Sequence, residues 1–259
     1  RKTSIVRALE EGLAAENRRV LSEWRALVLL RRATRDIPSE NRRWNQAPRS
    51  GREMRRVLDR LCGSGDLAPL EGLRSLYRVS APYVREQAVE EEEILMELHP
   101  YAALSHISAL VFHQMTGQLP KEIHASIPDD GHGALLPPGT TERDWDGVAL
   151  VRGRVADTIF GQPVRWHRLV AQRVFGTAEF HRDGYPVRVT TPERTLLDGL
   201  LRPDWCGGFT NVLGAWAEYR DLIDVETVVK YVDQFDVAVL RQRAGFLLEE
   251  LTLPHPILK

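Results

Sequence analysis

Cysteine is scarce in this chain. Cys62 and Cys206 stand 144 positions apart, and neither has a CxxC partner. That excludes a disulfide framework and a zinc ribbon, and it points to a reducing, cytoplasmic compartment. Long apolar runs are missing too. The longest candidate, Ala26–Leu30, runs straight into Arg31-Arg32, far short of the roughly 20 residues of a membrane helix. No signal peptide is read, and no membrane partner is expected. The catalytic signatures GxSxG, the phosphate loop, GxGxxG and HExxH are absent. The reading is therefore not an enzyme, with no catalytic residue, no metal ligand and no cofactor assigned.

What is present is a split of charge. Residues 1–80 carry 18 Lys/Arg against 10 Asp/Glu, while residues 81–259 carry 17 against 26. A near-zero net charge of −1 hides a basic head and an acidic body. Seventeen of the 18 early cations are arginine, grouped at Arg18-Arg19, Arg31-Arg32, Arg42-Arg43, Arg49/Arg52 and Arg55-Arg56. A DNA-reading domain joined to one that avoids DNA has this pattern. A solvated arginine-rich surface would share it. With 259 residues, 43% of them hydrophobic, two ordinary domains fit. The expected division is 1–82 and 83–259, with the seam at Pro82.

Periodicity organises the head. Val6, Leu9 and Leu13 follow Thr3 or Ser4 at helical spacing. A second helix starts near Val20 or Ser22 and ends near Ala33, with Leu21, Trp24, Leu27, Val28 and Leu30 as its apolar stripe. A short helix runs from Ser39 to Arg43 and Trp44, between Pro38 and Pro48. Ser50 precedes an amphipathic helix from Arg52 to about Cys62. Met54, Val57, Leu58 and Leu61 line one face, with Arg52, Arg55, Arg56 and Asp59 on the other. Gly63-Ser64-Gly65 ends it. Asp66–Leu70 and Ser75–Ser80 then read as a hairpin. This order is that of a winged helix-turn-helix, whose third helix enters the major groove.

Roles follow from that order. Ser50 and Arg52, at the helix start, lie nearest the base edges. Arg49, Arg55 and Arg56 suit phosphates. Arg74 and Arg78 sit on the wing, and Arg42 and Arg43 on the short helix across the backbone. The competing reading pairs these arginines with Glu40, Glu53 and Asp59 as surface ion pairs.

The body predicts an α+β fold with a mostly antiparallel sheet flanked by helices. Tyr83–Leu98 reads as a helix whose run Glu90–Glu93 is a solvated face. Tyr101 to about Met115 reads as another. His99, His106 and His113, seven apart, share a helix face, but two turns are too far for one metal ion. His124 and His132 sit in polar loops, and 127–141 is loop-like. Strands are expected at Val148–Val151, Arg154–Phe160, Val164–Val170 and Tyr185–Val189. A helix opens at Thr190-Thr191-Pro192-Glu193, by a Thr191 cap or by a Thr190/Glu193 capping box. Arg194 and Asp198 pair on its outer side. Residues 211–219, 225–235 and 239–251 read as helices.

The segments Tyr101–His113 (YAALSHISALVFH), Phe160-Gly161, Thr190–Leu200 (TTPERTLLDGL) and Arg243–Leu251 (RAGFLLEEL) resemble the AbiEi antitoxin family of type IV toxin–antitoxin and phage-abortive systems. The resemblance spans roughly residues 95–251. It implies a winged-helix head that represses its own operon at inverted repeats in double-stranded DNA. It also implies a body that counters a nucleotidyltransferase-type toxin, directly or functionally. Two copies would bind as a homodimer or as cooperative monomers. The alternatives are a metal-dependent nuclease-like DNA enzyme using Glu193 with Asp198 or His106 with His113, or a plain winged-helix regulator whose body binds a ligand or dimerises.

Overall fold

The computed structural model describes residues 2–48, 51–80 and 88–253. The fold is α+β and divides into two compact units. The first comprises Arg1–Tyr101, Ala134–Ala156 and His181–Val187, and the second Ala102–Gly133, Asp157–Phe180 and Arg188–Lys259. The seam expected at Pro82 lies outside the described residues. The units do not follow a single cut, because two later segments join the first. Among the described residues no helix is long and apolar enough to cross a membrane.

The first unit is built from short-range signals. Helix α1 (Ile5–Ala15) begins where Ser4 Oγ accepts the Arg7 N–H. Of the two starts considered for the second helix, Ser22 is the cap, accepting the Arg25 N–H. Val20–Ser22 is instead a strand, β1, and α2 runs Glu23–Asp36, past Ala33. It stops before Pro38, which disfavours helical backbone at the residue preceding it. The short helix is only a 3-10 turn, Ser39–Asn41. Arg42 leaves it to form a parallel bridge with Thr3.

Helix α3 spans Gly51–Gly63 and buries Met54, Val57, Leu58 and Leu61. Gly65 follows with φ +83°, a conformation that costs glycine little. Strands β2 (Leu67–Pro69) and β3 (Leu76–Val79) pair antiparallel, and β1 adds to β3, giving the order β1-β3-β2. Helix, strand, two helices and a hairpin with this sheet order is the winged-helix arrangement. Leu9, Leu21, Leu30, Leu58 and Leu61 are fully buried in its core. Helix α4 (Glu91–Leu98) lies in the same unit. Its glutamate run is not the solvated face expected. Glu93 is 1% exposed, because its carboxylate neutralises a buried arginine.

In the second unit the run read as one helix from Tyr101 to Met115 divides. Ala103–Leu104 is strand β4, Ser105 is extended, and α5 covers only His106–Phe112. A continuous apolar run cannot distinguish helix from buried strand. Strand β5 (Ile123–Pro128) was not anticipated; all six residues are buried, so no alternation marks it. Strands β6 (Thr158–Ile159), β7 (Gln162–Leu169), β8 (Thr177–Arg182) and β9 (Tyr185–Thr190) complete a sheet ordered β6-β7-β5-β4-β9-β8. Val148–Val151 forms no strand and packs beside Trp24, Val28 and Trp145 in the first unit. The sheet is mixed, with parallel neighbours among the antiparallel ones. β5 runs parallel to β7 over six residue pairs and β4 parallel to β9, while β4–β5 and β6–β7 are antiparallel. Parallel neighbours require crossovers, which the apparent hairpin spacing concealed.

Helix α6 (Pro192–Leu201) is capped by Thr191, with Pro192 in its first turn. The capping-box alternative does not form, since the Thr190 hydroxyl bonds that of Thr195. Leu196, Leu197 and Leu200 pack against α7 (Phe209–Glu218), α8 (Val225–Phe235) and α9 (Ala238–Glu250) around the fully buried Trp216.

Candidate nucleic-acid interface and a buried histidine cluster

The arginines of the head fall into two classes. Arg52, Arg55 and Arg56 stand exposed on α3, opposite its buried stripe. Among the described residues, no ion pair joins them to Glu40, Glu53 or Asp59. Arg74 and Arg78 are exposed on the hairpin and Arg43 before α3. Arg42 differs, because it is half-buried and donates to the Asn45 carbonyl at 3.0 Å. Arg49 and Ser50 lie outside the described residues.

The second class is internal. Arg19 donates to Glu93 at 2.9 Å and lies 4.9 Å from the Tyr185 ring. Arg25, with no exposed surface, donates to Glu97 at 3.0 Å and to the Pro138 carbonyl at 2.8 Å. Arg18 stands 3.6 Å from the same carboxylate. Arg32 and Arg35 converge on buried Asp144 at 2.7 and 2.9 Å. Burying guanidinium groups requires carboxylate partners at close range. Here those partners come from residues 93, 97 and 144, part of the segment read as an acidic body. The charge split is thus largely compensated within the first unit. Burial lowers the Arg25 pKa to about 10, and Glu97 opposes that shift.

In the second unit the histidines regroup. His99, His106 and His113 share no helix face: His99 follows α4, His106 starts α5 and His113 ends it. His113 Nε2 is 2.7 Å from the Thr190 carbonyl. His132 is in an exposed loop. His124, expected in a loop, is buried in β5. The register Ser126↔His167 and the two-residue period of strands put His124, Ser126 and His167 on one face of the sheet. His106 meets them there. His124 Nδ1 is 3.0 Å from His167 Nε2. Ring centroids are 4.3 Å apart for His106–His167, 5.1 Å for His124–His167 and 5.7 Å for His106–His124. One nitrogen from each ring lies within 4.8 Å of the others. Desolvation lowers the pKa of His106 and His167 to about 3, which keeps those two imidazoles neutral, and it lowers that of His124 in the same direction.

The cluster borders a cavity of about 730 Å³ that is also lined by Arg165, Arg173, Arg194, Arg202, Trp205 and Asp198. The Arg194–Asp198 pair, expected on the outside of its helix, is buried at 3.0 Å. Arg194 also donates to the Arg173 and Phe175 carbonyls and lies over the Phe175 and Phe235 rings. Asp198 Oδ2 is buried without a hydrogen-bond partner among the described residues. No spacing rule in the sequence points to His124 and His167, because the sheet register brings them together.

The fold and the exposed helix define an α+β protein with a winged-helix first unit. No family model and no curated protein matches the chain. Among solved structures, the crystal structure of the RV2827C protein from Mycobacterium tuberculosis is similar, with a TM-score of 0.52 and 15% sequence identity. The match covers 97% of this chain and 78% of that one. At that identity the likeness concerns the fold.

Proposed function

We propose that this chain is a DNA-binding transcriptional repressor and antitoxin that binds inverted repeats upstream of its own operon and counteracts a nucleotidyltransferase-type toxin. The observation that carries the DNA-binding half is the outward face of α3. Arg52, Arg55 and Arg56 lack carboxylate partners among the described residues, whereas Arg18, Arg19, Arg25, Arg32 and Arg35 are tied to carboxylates within the first unit. In this reading α3 lies in the major groove with Arg52 at a guanine edge. Arg55 and Arg56 hold phosphates, with Arg43, Arg74 and Arg78 on the flanking backbone. The antitoxin half is supported by the AbiEi resemblance of residues 95–251.

Binding to the upstream DNA and to a scrambled duplex, measured at about 50 and about 200 mM salt, tests the first half. Five phosphate contacts imply a slope near −4.5 in log K against log salt, or about a 500-fold loss across that range. Selective, salt-steep binding that Arg52→Ala with Arg55→Ala abolishes is the expected result. Equal weak binding to both duplexes, or normal binding by the folded double variant, refutes it. Co-expression with a nucleotidyltransferase-type toxin tests the second half, which falls if toxicity persists.

A further inference from the structure

We propose that His106, His124 and His167 bind a single transition-metal dication of the zinc class, with an open coordination position facing the arginine-lined cavity. Three imidazoles on one tetrahedral ion have bonds of about 2 Å, which sets their nitrogens about 3.3 Å and their ring centres about 5 Å apart. The 3.0 Å separation of His124 Nδ1 and His167 Nε2 is already close to that, as are the ring spacings of 4.3 to 5.7 Å. An ion replaces the hydrogen bond between them, and the proton of that bond passes from His167 Nε2 to His167 Nδ1, so both rings ligate as neutral imidazoles. His106 completes the set by a ring movement of roughly 1 to 2 Å, bringing its nitrogen from within 4.8 Å to bonding range.

The surroundings match a metal site's outer shell. Glu122 Oε1 is 3.3 Å from His124 Nε2 and accepts its proton, which leaves Nδ1 free to face His167. Ser105 Oγ, 3.0 Å from His106 Nδ1, does the same for that ring and leaves its Nε2 for the ion. Trp205, 4.4 Å from the His167 ring, walls one side. His106 has φ +52°, uncommon for a residue with a side chain, and such strain concentrates at functional positions. Asp198, paired with Arg194 at 3.0 Å, lines the same cavity, and its buried Oδ2 has no hydrogen-bond partner among the described residues. With Arg165, Arg173 and Arg202 on the cavity wall, the ion's exchangeable ligand is water or a small anion.

The experiment is a Co²⁺ titration of the untagged, chelator-stripped full chain, followed by visible absorption and by displacement with Zn²⁺. Stoichiometric binding with the intense bands of tetrahedral cobalt is expected. His124→Gln and His167→Gln should each weaken it by about 100-fold and Glu122→Gln by about tenfold, while His113→Gln leaves it unchanged. Absence of stoichiometric binding by the unmodified chain overturns the proposal. So do weak octahedral-type bands, which need no variant to interpret. Undiminished affinity in the folded histidine variants overturns it as well.

Discussion

Glu97→Gln separates the structural arginines from the exposed ones. Glu97 and Arg25 have no exposed side-chain surface, and Arg18 Nη1 lies 3.6 Å from the same carboxylate oxygen. Glu97 Oε2 also accepts from Ser22 Oγ at 2.5 Å, and its carbonyl accepts from Trp24 Nε1 at 2.9 Å. The amide preserves shape and an acceptor for Arg25 but removes the charge, leaving Arg25 buried beside a neutral side chain while Arg18 keeps Glu16 at 2.8 Å. Breaking a buried pair this way costs about 3–5 kcal/mol, against a total stability of about 5–15 kcal/mol. In urea that lowers the unfolding midpoint of the first unit by about 1–2 M. Hydrogen exchange of α2 and α4 amides reads it unit by unit, which avoids assuming one transition for two units.

Two controls define the refutation. Arg55→Ala, on the exposed face of α3, changes stability by no more than about 0.5 kcal/mol. Arg25→Met combined with Glu97→Leu recovers much of the loss, because an apolar pair carries no desolvation cost. A Glu97→Gln loss below about 1 kcal/mol refutes the reasoning, as does an Arg55→Ala loss of equal size.

Acid should weaken the first unit through Asp144. Burial pushes its carboxyl pKa up, but hydrogen bonds from Arg32, the Thr141 N–H and Arg35 outweigh that and hold it below the usual range. Its contribution is therefore complete above about pH 4 and is lost as pH falls below that value. Unfolding midpoints measured from pH 5 to pH 2 should fall steeply in the unmodified chain and more gently in Asp144→Asn; equal slopes refute this. Gly153→Ala places a methyl within the van der Waals envelope of the buried His99 ring. A loss of about 1–3 kcal/mol in equilibrium unfolding is expected, and a neutral result refutes the close approach.

The sequence alone determined what depends on neighbours within a few residues. Ser4, Ser22 and Thr191 cap helices because each hydroxyl reaches an N–H three positions on. The stripe Met54, Val57, Leu58, Leu61 marks the buried face of α3, and so its opposite face, because helical period is local. The hairpin after Gly65 was legible for the same reason. Tertiary structure decided which arginines are free and which are structural, since Arg19 and Arg25 find their carboxylates more than 70 residues away. It turned Glu93 inward, made the second sheet mixed, and assembled His106, His124 and His167 from a helix start and two parallel strands. Charge runs and histidine spacings along the chain could not reveal this, because burial and pairing depend on distance in space, and long-range packing sets that distance.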